Sequence, residues 1–249
     1  MSRLAVDLAH ALSPVEFCRS IGFEPDPYQR DVMESQHPRI CLCAARQVGK
    51  SWICAAKAVH VAVYEPGSLV LAIAPTLRQS SELFLKIRAI ARSMDGGAPP
   101  AETDSATTWT LSNGSRCVVL PGTEQTVRSF SSCRLLLVDE AARVDNAAIA
   151  ACRAFLAVSG GQLIMLSSPA GARGAFYEAF VHGGSAYERY LVKAEDCSRI
   201  SASFLAAERT ALGEYFYQSE YECRFLSAET AAFDPDWLEQ IKECEAWIL

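Results

Sequence analysis

The chain has 249 residues, half of them hydrophobic, and a formal charge of −6. This length and apolar share support a substantial core, in one large domain or two small ones. The acidic balance excludes a broad non-specific nucleic-acid surface, which needs many Lys and Arg contacts to phosphates, so any nucleic-acid partner is expected to be gripped locally.

The first stretch, "MSRLAVDLAHALSPVEFCRS", reads as helical and carries Asp7 and Glu16, unlike the clean apolar core of a secretory signal. The longest apolar runs are strand-length, short of the roughly 18 residues of a membrane span, so no transmembrane helix and an intracellular protein are expected. The prolines of "FEPDPYQRDVM" break the first helix, and Tyr28 to Met33 begins another. Five strand candidates follow: "RICLCA" (39–44), "SLVLAIAP" (68–75), "RCVVLPG" (116–122), "RLLLVDE" (134–140) and "QLIMLSSP" (162–169). Most are continuous apolar runs, the pattern of parallel strands covered on both faces.

Helices are expected at 50–64, at 76–93 after Pro75, and at 146–157 with Asn146 as N-cap. This alternation is an α/β doubly wound pattern. The segment "DGGAPPAETDS" (95–105) reads as a flexible connection, and the Asn-Gly of "TTWTLSNGSRCVVL" marks an antiparallel hairpin at the sheet edge. Beyond residue 185 the signal weakens to one candidate strand, "YERYLVKAED", and helices near 201–211 and 213–224, a small helical appendage. The ten cysteines run from Cys18 to Cys244 with apolar neighbours and no zinc-like spacing, and read as reduced and mostly buried. Cys41 and Cys43 share one strand face, which reads as core packing rather than a metal site.

The chemistry sits where two strands end. "AARQVGKS" follows a strand and opens a helix, the context of a phosphate-binding P-loop, and meets the G-x-x-x-x-G-K-[ST] template except that Ala44 stands at the first glycine. Alanine matters there only if the position needs a positive φ. Gly49 allows close backbone approach, Lys50 would pair with the β- and γ-phosphates and Ser51 would hold Mg²⁺. "RLLLVDEAARV" is an apolar strand ending in Asp139 and Glu140; the aspartate can hold the metal and the glutamate can orient and deprotonate an attacking water. The extra strand "SLVLAIAP" between the two motifs is the arrangement of P-loop NTPases that carry a catalytic glutamate, a RecA-like fold with a mainly parallel sheet.

In this setting the sequence resembles the large terminase subunits of tailed bacteriophages, which are ATP-driven DNA-packaging motors. "PYQRDVM" looks like the family's adenine-contacting motif, with Gln29 reading the adenine edge. "ARQVGKS" looks like its variant P-loop, in which Arg46, Gln47, Val48, Gly49, Lys50 and Ser51 would surround the phosphates and the first glycine is often absent. "LLLVDEA" matches its acidic strand, and "LSSPAGARGAFYEAF" looks like its coupling motif, which assigns coupling to Ser167 and Ser168. Two arginines compete for charge stabilisation: Arg46 in cis, and Arg128, where the family places an arginine that reaches a neighbouring subunit.

The resemblance implies ATP and Mg²⁺ as cofactors, double-stranded DNA as the translocated polymer, and assembly into a ring, a pentamer by the family's pattern. It also implies portal and small-terminase partners, and work at the procapsid portal in the cytoplasm of an infected host. It divides the chain into an N-terminal helical and adenine-motif segment (1–36), an ATPase core (37–185), a lid or linker (186–232) and a junction (233–249) toward a nuclease domain, for which no two-metal carboxylate cluster follows "TAAFDPDWLEQIKE". A helicase or remodelling ATPase is the nearest alternative, and would need a second RecA-like domain that the roughly eighty residues after Ser168 are too few to supply. A nucleotide-binding module without turnover is the third reading, and has no need of Glu140.

Overall fold

The computed structural model describes residues 3–94, 98–123, 130 and 132–227. The N-terminal stretch forms two helices, α1 (Arg3–Leu12) and α2 (Pro14–Ser20), followed by α3 (Pro27–Glu34). The break expected at the later prolines therefore comes earlier as well. Ser13 caps α2, its hydroxyl accepting from Glu16 N at 3.2 Å, and Pro14 takes the first helical position, where its missing N–H costs nothing.

All five expected strands form: β1 (Arg39–Ala44), β2 (Leu69–Ala74), β5 (Arg116–Pro121), β6 (Leu135–Asp139) and β7 (Gln162–Ser167). Helix α4 (Lys50–Tyr64) follows β1, α5 (Leu77–Arg92) follows β2, and α6 (Asn146–Ser159) precedes β7. The cap of α6 is Asp145, accepting from Ala147 N, rather than Asn146, whose Oδ1 instead accepts from Ala175 N at 2.8 Å. Part of the expected flexible connection is a strand, β3 (Ala101–Asp104), pairing antiparallel with β4 (Thr108–Leu111), which in turn pairs antiparallel with β5. The expected hairpin is thus the inner part of a three-stranded edge.

After β7 come α7 (Gly174–Tyr177), a π-helical turn over Glu178–His182, β8 (Glu188–Val192), α8 (Ala202–Leu212) and α9 (Glu214–Glu220). The strand β8 joins the sheet parallel to β1, so the region after residue 185 contributes to the sheet as well as adding helices. Helix α9 ends four residues before the expected 224, with Tyr221 as its C-cap and Cys223 in the left-handed region at φ 58°.

The sheet order is β3-β4-β5-β2-β6-β7-β1-β8. From β5 through β8 every pairing is parallel. The connection β1 to β2 runs one way along the sheet and β6 to β7 runs the other, so right-handed crossovers put α4 and α6 on opposite faces. Both faces are then covered, and β2, β6 and β7 are buried at every position. Cys41 and Cys43 lie in this core, with Sγ atoms 4.0 Å from the carbonyls of Phe176 and Cys223. Nine cysteines among the described residues are free and buried. No helix among the described residues is long and apolar enough to cross a membrane.

Strand β7 lies between the P-loop strand and the acidic strand. Its register pairs Ser167 with Cys43 on one side and Leu166 with Asp139 on the other, so the carboxyl ends of β1, β7 and β6 align. Ligands of open α/β sheets bind outside such strand ends.

Candidate active site

The P-loop turn leaves β1 and enters α4 through two left-handed residues, Gln47 (φ 64°) and Gly49 (φ 99°). Ala44 is the last residue of β1 and has no positive φ, which explains why alanine serves where the template has glycine. Gly49 is constrained twice. A Cβ there would meet Gln29 Nε2 at 2.7 Å, in a backbone conformation that disfavours side chains.

Gln29 is fully buried behind the loop. Its Oε1 accepts from Asp26 N at 2.8 Å, closing a capping box on α3, and its Nε2 donates to Tyr28 Oη at 3.2 Å. Tyr28 Oη donates to Val48 O at 2.8 Å, and Arg199 donates to the same carbonyl at 3.0 Å while pairing with Asp26. The back of the P-loop turn is thus held by α3 and by a residue from the C-terminal part of the chain.

In front of the loop is a cavity of about 470 Å³, lined by Arg46, Gln47, Gly49, Lys50, Ser51 and Glu140 among others. Lys50 is buried to 7% exposure, yet among the described residues its ammonium has only distant partners, Ala45 O at 3.5 Å and Glu140 Oε1 at 3.8 Å. Ser51 Oγ lies 3.5 Å from Asp139 Oδ1. The first N–H groups of α4 have no intrahelical acceptors and, with the helix dipole, favour an anion at this end. Burial raises Asp139's pKa most, the charge of Glu140 adds to this, and Lys50 opposes both.

Glu140 takes the left-handed region at φ 50°, ψ 43°, and its N–H donates to Asp139 Oδ1 at 3.0 Å. Its Oε2 accepts from Ser167 Oγ at 3.3 Å and from Arg143 Nη1 at 3.1 Å. Ser168 Oγ donates to Glu220 Oε2 at 2.7 Å. Glu220 also receives Arg46, through Nε at 3.0 Å and Nη2 at 3.1 Å, and Arg143 Nη2 at 3.1 Å.

The fold therefore gathers Arg46, Gln47, Gly49, Lys50, Ser51, Asp139, Glu140, Ser167 and Ser168 at one sheet edge. Val48 faces the core, and Gln29 meets the loop from behind. Arg128 lies outside the described residues. Sequence reading missed Glu220, and also Arg143, Trp52, Gln79 and Lys86, which line the cavity. Arg143 follows Glu140 by three residues and was legible as a neighbour; Glu220 lies in the aromatic and acidic helical stretch "FYQSEYECRF", with nothing local to tie it to the site.

The family profile for the terminase large subunit, T4likevirus-type, N-terminal, matches residues 41–240. The chain belongs to this family. The ATPase domain of the Thermus phage P74-26 large terminase has the same fold, with a TM-score of 0.72 at 20% identity over 85% of this chain and 98% of that one. A large terminase from another thermophilic bacteriophage aligns with a TM-score of 0.70 at 15% identity, over 86% of this chain and 57% of that protein. The same thermophilic terminase in complex with ATP-gamma-S aligns with a TM-score of 0.60 at 14% identity, over 87% of this chain and 52% of that protein. The chain thus spans a little over half the length of this second terminase. No curated protein matches it by sequence.

Proposed function

We propose that this terminase domain is the ATP-hydrolysing motor that drives double-stranded DNA into a procapsid. The observation that supports it best is the convergence of Lys50, Ser51 and Glu140 on one cavity at the carboxyl ends of β1 and β6, with the buried Asp139 3.5 Å from Ser51 Oγ. A buried ammonium without a close partner, a hydroxyl beside a carboxylate, and free helix N–H groups are the donor set for a triphosphate and a hard divalent cation. That a relative's terminase was captured with ATP-gamma-S is consistent with this reading.

Lys50 and the loop N–H groups bind and orient the β- and γ-phosphates. Ser51 and Asp139 are the residues that would hold Mg²⁺, which when bound supplies charge neutralisation at the phosphate oxygens. Glu140 accepts a proton from water as the water oxygen bonds to the γ-phosphorus; the bond to the bridging oxygen breaks, and ADP leaves with that electron pair. Arg46 and Arg128 are the two cations assigned to stabilising the transferred phosphoryl, the second in trans within a ring. Gln29 is assigned to the adenine; it is buried with Oε1 accepting from Asp26 N and Nε2 donating to Tyr28 Oη, so it meets a base only by giving up one of these bonds.

Ser167 and Ser168 are assigned to coupling, since one touches the water-activating carboxylate and the other touches the helix α9 near the end of the described chain. Of the lid or linker expected at 186–232, β8 belongs to the sheet, which leaves α8 and α9 as the part that would work as a lid or linker; the junction expected at 233–249 lies outside the described residues. The test is ATP hydrolysis with and without double-stranded DNA across a range of protein concentration. Specific activity that rises with concentration, and loses that rise in Arg128→Ala, supports a ring with a trans arginine. Concentration-independent activity sinks the trans assignment.

A further inference from the structure

Arg143 closes the stretch "RLLLVDEAARV" but has no assigned role in it, yet its guanidinium bridges two carboxylates from distant parts of the chain. Nη1 donates to Glu140 Oε2 at 3.1 Å and lies 3.5 Å from Ser168 Oγ. Nη2 donates to Glu220 Oε1 at 3.1 Å. We propose that Arg143 is a positioning residue that holds Glu140 for water activation and makes that hold depend on where helix α9 sits; this rests on the ATPase reading of the site.

The local chain builds the contact. Glu140 in its left-handed conformation starts a 3-10 turn over Ala141–Arg143, closed by Arg143 N donating to Glu140 O at 2.8 Å. The turn brings the arginine side chain back over the glutamate three residues earlier. Glu140 then has one oxygen toward Lys50 and the other toward Arg143 and Ser167, which limits the rotation of its terminal carboxylate. A general base must be held within hydrogen-bond reach of the proton it takes, and small misplacements cost rate steeply.

The bland reading is a solvated i,i+3 ion pair, which contributes little to stability. Three features argue for more. The glutamate paired is the one that faces the cavity. A planar two-armed donor is used where it can hold two carboxylates at once, a geometry lysine cannot copy. And Glu220, its side chain only 14% exposed, brings α9 into the same cluster as the coupling-strand residue Ser168. Withdrawal of Glu220 frees one arm of Arg143, so the geometry of Glu140 and the place of α9 change together. Arg143 also lines the cavity, but both arms of its guanidinium are taken by carboxylates, so in this scheme it acts through Glu140.

The test compares kcat and KM for ATP in the 249-residue chain, as wild type, Arg143→Ala, Arg143→Lys, Glu220→Gln and the Arg143→Ala/Glu220→Gln double variant, with thermal melts. Arg143→Ala is expected to lose roughly tenfold or more in kcat with KM within about twofold and an unchanged melt, and Arg143→Lys to regain part of the loss. The double variant is expected to lose less than the product of the single losses, because the two residues share one interaction. Unchanged kcat in Arg143→Ala, a KM that rises as kcat falls, or a lowered melt each overturns the positioning role. Losses that multiply overturn the link to α9. Wild-type hydrolysis that depends on Lys50 but ignores Arg143 sinks this inference alone, whereas no Lys50-dependent hydrolysis sinks the ATPase reading and this with it.

Discussion

The Ser167 hydroxyl donates to Glu140 across the β6–β7 pair at 3.3 Å, so the strand between the two motifs touches the carboxylate assigned to water activation. Its neighbour Ser168 donates in the other direction, to Glu220 of α9 at 2.7 Å. Two consecutive hydroxyls thus address the chemical centre and the C-terminal helices separately.

These contacts predict that the two serines fail differently. Ser167→Ala should lower kcat by roughly fivefold with little change in KM, since one of several hydrogen bonds to a charged group is lost. Ser168→Ala should leave hydrolysis closer to wild type and weaken its response to double-stranded DNA. Steady-state kinetics of both variants with and without DNA check this, and identical profiles would remove the division of roles.

Gly49→Ala should damage binding and folding together. The substitution places a side chain at φ 99° and 2.7 Å from Gln29 Nε2, at a cost of about 1–3 kcal/mol for the backbone strain before any clash. Chemical denaturation should show that loss, and nucleotide titration should show weakened affinity. The Gly49→Ala, Gln29→Ala double variant should recover part of the stability, because removing the amide relieves the close contact.

Alkaline pH should destabilise the fold. Burial pushes the thiols of Cys18, Cys117, Cys133 and Cys152 up from 9.0 to about 12. With the folded values above the unfolded one, the stability they contribute is whole below pH 9 and is lost as pH rises from there toward 12, by up to about 1.4 kcal/mol per pH unit for each thiol. Lys57 works the other way. Its ammonium donates to Val32 O, Met33 O and Ser35 O, and burial lowers its pKa to about 8 from 10.5. Its charge therefore costs most below pH 8, and that cost is relieved as pH climbs to 10.5. Four thiols outweigh one amine, so unfolding free energies measured in denaturant should fall between pH 9 and 11, and Lys57→Met should flatten any rise between pH 8 and 9.

Much of this was legible in the sequence for a physical reason. Parallel strands buried on both faces must be apolar throughout, so "LVLAIA" and "LLLVD" announce themselves, and phosphate chemistry forces its residues into short contiguous motifs. Strand β3 was not legible because "AETD" is exposed at every position and is held by backbone pairing with β4 and by the tertiary ion pair of Asp104 with Arg88. The cap of α6 was misplaced by one residue because Asp145 and Asn146 are equally suited to the position, and only the tertiary use of Asn146 by Ala175 N distinguishes them. Glu220 was invisible for a different reason. It sits in a seven-residue helix, and its meaning comes from a chain path that returns it to Arg46, Arg143 and Ser168.

The most direct measurement is steady-state ATP hydrolysis with Mg²⁺ by the wild type, Lys50→Ala and Glu140→Gln, with nucleotide affinity measured in parallel. The expected result is hydrolysis in the wild type only, with affinity lost in Lys50→Ala and kept in Glu140→Gln. Turnover by Glu140→Gln at the wild-type rate, or nucleotide binding indifferent to Lys50, would contradict the assignment of this cavity as an ATPase site.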